Sequence, residues 1–140
     1  MNAGIQNRNG IIGFPDSPNG PGPHIMAADS LTGEKVVNQT GEGLGEITHI
    51  MLDLTQGTIA YAVLSFGGLL GIHDKLFAVP WHCLALDVEN KWFVLNVDKD
   101  QLRNAPGFDK NHWPAMADPD WARDVHAYYG PRAVSRRPFI

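Results

Sequence analysis

Histidines and carboxylates whose spacing could hold a metal or move a proton fall at three places in this 140-residue chain. His49 and Asp53 are four apart. On a strand that spacing places them on one face but more than about ten Å apart, too far to share an ion. His73 and Asp74 adjoin a glycine-rich turn with no nucleophile motif beside them, and they read as a polar rim. Asp118, Asp120 and Asp124 with His126 lack the central glycine and distal glutamate of a calcium loop, and acidic residues opening a helix complement its dipole without an ion. Ser65 stands in LSFGG, which is not the G-x-S-x-G elbow, and GEGLGE at 41–46 lacks the strand-turn-helix setting of a phosphate loop. The single cysteine, Cys83, excludes an internal disulfide and a thiolate metal cage, and within PWHCLAL it reads as a small buried residue. Trp81, Trp92, Trp113 and Trp121 would make an aromatic cage, yet each lies in an apolar or capped segment and is assigned to the core. No catalytic, cofactor-binding or metal-ligating residue is therefore assigned.

The elements that carry these residues are mostly strands. Ile59, Tyr61, Val63 and Phe66 alternate with Ala60, Ala62 and Leu64, so neither face is polar and both are expected to be covered. Gly67, Gly68 and Gly71 then permit the chain to reverse and return through Leu76 to Val79 before Pro80. Val36 and Val37 predict a short first strand, Glu46 to Leu54 a longer one, and Gln56 with Gly57 the turn into the next, a meander of antiparallel strands. After Pro80 a helical turn is expected through His82 to Leu84, then strands through Leu86 to Val88 and Lys91 to Val97 about a turn at Glu89 and Asn90. Asp98 with Gln101 three residues on is a capping box for a short helix that Pro106 stops. Asp118, Pro119 and Gly130 bound a second helix whose Trp121, Val125 and Tyr128 share one face, placed against the sheet.

Taken together, GEGLGEITHIMLDLTQGTIAYAVLSFGG, DKLFAVPW, FVLNV, APGFDK and the late YYG resemble the PRC-barrel family, in the order that family has them, from Ile25 to Gly130. The resemblance implies a mainly β fold, a small, strongly bent antiparallel barrel, with the C-terminal helix packed on it. It also implies an adaptor or assembly surface similar to the cytoplasmic part of the photosynthetic reaction-centre H subunit, with no enzyme activity and no catalytic residues to carry over.

Residues 1–24 are rich in glycine and proline with little apolar patterning, and read as a disordered leader; 25–130 form the domain and 131–140 a basic, flexible tail. The leader lacks the basic start and apolar run of a signal peptide, no run is long enough to insert in a membrane, and a cytoplasmic location is expected. From Asp29 to Gly130 there are 14 acidic and 7 basic side chains, a balance that argues against nucleic acid as the main partner. The expected partner is a second copy or a larger protein, with no cofactor. The surface assigned to it is the hairpin tip, where Leu69, Leu70 and Ile72 sit among glycines and His73, Asp74 and Lys75 form a rim. The contrasting expectation is that these aliphatic side chains plug the open end of the barrel. Contrasting readings are a small-ligand or metal-binding sensor barrel, marked by an enclosed pocket, and a small hydrolase, marked by titratable groups in a cleft.

Overall fold

A computed structural model describes residues 25–66, 75–87 and 89–130. The leader, the basic tail and the hairpin tip from Gly67 to Asp74 lie outside the described residues.

Seven strands form one sheet: β1 (Lys35–Val37), β2 (Gly43–Asp53), β3 (Thr58–Ser65), β4 (Lys75–Pro80), β5 (Leu84–Asp87), β6 (Trp92–Leu95) and β7 (Phe108–Asp109). Two helices follow the alternating pattern, α1 (Lys99–Arg103) and α2 (Pro119–Tyr129), with single 3-10 turns at Ala28–Leu31 and Trp81–Cys83. The strand order is β5-β6-β1-β2-β3-β4-β7. That order forces the sheet to curl. Laid flat, five strand spacings would separate β4 from β5, roughly 24 Å. Yet only Trp81–Cys83 joins Pro80 to Leu84, and four residue steps reach about 14 Å at most. The sheet is not hydrogen-bonded into a closed ring among the described residues, but it wraps round one interior as a barrel.

The bend is concentrated in β2. Its first residues pair with β1, Lys35 opposite Glu46 and Val37 opposite Gly43, while Glu46 to Asp53 pair with β3. Register shifts between Val36 and Val37, between Ile47 and His49, and between Met51 and Leu52 insert bulges that kink the strand. Gly45 sits at the first of these with φ +134, and a Cβ there would drive into the Ser65 carbonyl. Only glycine fits.

Inward-pointing residues from six strands meet in one cluster, among them Val36, Leu44, Ile47, Leu64, Phe77, Leu86 and Phe93. Phe77, Leu44, Ile47, Leu64 and Leu95 are completely buried. The opposite face of β3 and β4 is covered as well, where Tyr61 and Ala78 pack against Val125 with Met51, Phe108, Met116 and Trp121 around them. The expectation that both faces of β3 are buried holds, and the C-terminal helix supplies the outer cover.

Two features depart from the antiparallel meander read in the sequence. β6 pairs parallel to β1, Val36 opposite Phe93, because the chain returns through the β5–β6 hairpin to the free side of β1. Phe108 and Asp109, to which the sequence reading assigns no element, add a short edge strand to β4. β2 also begins at Gly43 rather than Glu46, since the glycines of the turn are drawn into the β1 pairing. The two caps stand as read. Asp98 Oδ1 accepts from the Gln101 amide at 2.7 Å and Gln101 Oε1 accepts from the Asp98 amide at 3.4 Å. Asp118 Oδ1 accepts from the Asp120 amide at 2.9 Å, and Gly130, with φ +83, ends α2.

Candidate interaction surface

Of the residues assigned to the hairpin surface, Lys75 is described, while Leu69, Leu70, Ile72, His73 and Asp74 lie outside the described residues. Lys75 opens β4 opposite Asp109 of β7, with its ammonium 5.2 Å from the centre of the Phe77 ring. Gly107 lets the chain cross close above this stem, for a Cβ there would come within 2.7 Å of Lys75 Cε and 2.9 Å of Phe77. Lys75 thus helps seat the C-terminal segment on the barrel edge at the base of the hairpin.

The residues that could do chemistry are occupied structurally. His49 meets the edge of Trp113, ring centres 5.2 Å apart, and its Nδ1 lies 3.1 Å from Thr48 Oγ1. Asp53 instead accepts from the Thr55 and Gln56 amides, fixing the β2–β3 turn. Asp120 and Asp124 both pair with Arg123 along α2, and Asp118 is spent on the cap. His126 lies on another side of that helix, against Tyr61 and His82. Among the described residues no three His, Cys, Asp or Glu side chains gather as a metal site. The glycines of GEGLGE serve the loop and bulge: Asn38 Oδ1 accepts from the Thr40 and Glu42 amides, and Gly41 takes φ +87. Cys83 is buried, its thiol pushed up to about 11 by desolvation, so it is an unreactive neutral group.

The tryptophans correct the sequence reading. None is fully buried. Trp81 packs on Phe93 and Trp121 on Tyr61, partly covered, as expected of residues that seal the core. Trp92 instead lies under the Lys35 ammonium at 5.1 Å, and Trp113 is 39% exposed with its indole N–H donating to the Lys110 carbonyl at 2.9 Å. Both sit where a strand end or a loop leaves the sheet. That leaves them an apolar face to cover and a wet edge.

A surface feature escaped the sequence reading altogether. At the β2–β3 turn, Leu52 is 56% and Leu54 85% exposed, flanking Asp53. The signal was present in MLDLTQG, a leucine on either side of a turn aspartate, but both fall within the strand read from Glu46 to Leu54, which ends at Asp53. The register shift after Met51 is what turns them out.

The family model of the PRC-barrel domain matches residues 23–102, more than half of the chain, and the chain belongs to that family. The match covers β1 to β6 and most of α1, and it ends before β7 and α2. No curated protein matches the chain. Among the described residues no helix is long and apolar enough to cross a membrane.

Proposed function

We propose that this PRC-barrel protein is a non-catalytic interaction and assembly module, associating with a second copy of itself or docking on a larger protein, and working without a cofactor. The observation that carries this reading is the filled interior: Phe77, Leu44, Ile47, Leu64 and Leu95 occupy the space in which a ligand-binding barrel would hold its ligand. His49, Asp53, Asp118, Asp120, Asp124 and His126 are taken up by ring contacts, a turn, a cap and ion pairs. What the barrel offers is its surface. Aliphatic side chains at a glycine-rich tip, Leu69, Leu70 and Ile72 with the rim of His73, Asp74 and Lys75, suit burial against protein.

The double change Leu69→Ser with Leu70→Ser tests it. The expected result is an unchanged circular dichroism spectrum with a smaller sedimenting species, or loss of the bound partner. Lost stability at unchanged mass would instead mean that these side chains plug the barrel, and the interface assignment fails.

A further inference from the structure

Among the described residues β5 ends the sheet, with β6 on its inner side and no strand on the other. The backbone along that outer edge can be oriented from its neighbours. Successive residues of a strand turn their backbone groups to opposite sides. The Leu84 amide turns away from β6, donating to the Trp81 carbonyl. By the alternation, the amide and carbonyl of Leu86 also point away from β6, while those of Ala85 and Asp87 point toward it. Phe93 agrees, since it lies opposite Leu86 and pairs with Val36 of β1 on its far side. Leu86 as a whole residue is only 3% exposed. A donor and an acceptor at so covered a position require a partner other than bulk water.

The chain itself arrives at that spot. α2 ends at Gly130, whose carbonyl lies 3.8 Å from Cys83 Sγ, so the next residue starts beside Leu84. Running in the same direction as β5, it follows the edge; running the other way, it passes back over the Trp81–Cys83 turn and leaves the sheet. Leu84 to Asp87 is three residue steps, about 10 Å, and ten residues follow Gly130 in the sequence. Charge draws the two together. Between Asp29 and Gly130 there are 14 acidic and 7 basic side chains, whereas residues 131–140 carry Arg132, Arg136 and Arg137 and no carboxylate. Pro131 suits the first position of a strand, where no donor is needed.

We propose that residues 131–134 add a further strand parallel to β5, with Arg132 beside Ala85 and Ala133 beside Leu86. In a parallel ladder each residue bonds to the two that flank its neighbour. The Arg132 amide then donates to the Leu84 carbonyl, the Leu86 amide to the Arg132 carbonyl, and the Val134 amide to the Leu86 carbonyl. The Leu84 amide already donates to Trp81 and the Gly130 carbonyl accepts from Cys83, so the ladder begins where those contacts end. The added strand covers an edge that would otherwise be a template for another chain.

Amide exchange of the full chain reads this edge residue by residue. The Leu86 amide is expected to exchange as slowly as those of Ala85 and Asp87, which face β6. Val134→Pro removes the donor to the Leu86 carbonyl and is expected to cut Leu86 protection by about tenfold. Ala133→Pro alters an amide that faces away from β5 and is expected to leave that protection in place. Unchanged protection in β3 reports an intact barrel in both variants. A Leu86 amide that exchanges rapidly in wild type, protection that survives Val134→Pro, or equal losses in the two variants overturns the proposal. So does Leu86 protection that climbs as protein concentration is raised, because a second copy's strand then occupies the edge.

Discussion

The barrel strands and the segment from Phe108 to Tyr129 are held by different physics. In the barrel, side chains from six strands interlock in one interior, and a three-residue link between β4 and β5 leaves the sheet no freedom to open. The C-terminal segment has no core of its own. It is tied at one end by a two-residue strand on the edge of β4 and at the other by aromatic, histidine and hydroxyl contacts, with Val125 its buried apolar anchor. Tyr128 donates to the Gln101 carbonyl at 2.5 Å and Cys83 Sγ to the Gly130 carbonyl at 3.8 Å. Interlocked aliphatic surface unfolds as a unit, whereas a segment fixed by a few partly exposed contacts opens locally. The family match to residues 23–102 divides the chain at nearly the same place. A barrel common to the family thus carries a cover that its own strands do not require to close.

The largest expected effect tests the first half of that contrast. Phe77→Ala removes a completely buried ring from the barrel interior and should cost about 4 kcal/mol. Denaturant unfolding should shift to lower concentration with every probe moving together, barrel and helix alike. A transition in which α2 outlasts the sheet would break the comparison. A smaller and more local effect is expected for Trp121→Ala. The ring is only partly buried against Tyr61, so the loss should be about 2 kcal/mol, below that of a full core aromatic. The measurement is amide exchange, with protection falling across α2 and unchanged in β3. Uniform loss across both would mean that helix and barrel form one cooperative unit.

Local chemistry was the legible part of this fold. The capping box at Asp98 and Gln101, the Asp118-Pro119 start of α2, and the β-branched and aromatic run of β3 each announce themselves within a few residues, and each stands as read. What depended on distant partners was not legible. Nothing in Val36 says that Phe93 will lie beside it in parallel, and Phe108 with Asp109 is too short a strand to carry any period. The bulges in β2 were hidden for a related reason. A register shift changes which face a residue takes without changing its type, so Leu52 and Leu54 read as strand and stand exposed. The same limit applies to His82 and His126. They are 44 residues apart, and only the docking of α2 brings them together.

Proton binding gives the finest test of the contrast, because the barrel holds a buried carboxyl, Glu34, whose titration is tied to folding. Glu34 lies in the barrel beside Ile47, whose amide donates to the Glu34 carbonyl at 3.0 Å, and its side chain is 7% exposed. Desolvation pushes its carboxyl up to about 7 from an ordinary 4.5. Between those values the folded chain keeps a proton that the unfolded chain has released, so barrel stability is greatest in mild acid. It falls as the pH rises from 4.5 to about 7, and is flat above. The expected loss is on the order of 1 kcal/mol, because the carboxyl at the start of β1 retains some water. Glu34→Gln keeps the size and the polar head while removing the charge. The variant should gain that amount near pH 8, little near pH 5, and lose the slope between them in denaturant titrations. In wild type the same descent in pH should raise amide protection in β3, where exchange follows barrel stability, and leave α2, which opens locally, unchanged. If α2 gains protection along with β3, the boundary drawn between barrel and cover is not a boundary in stability.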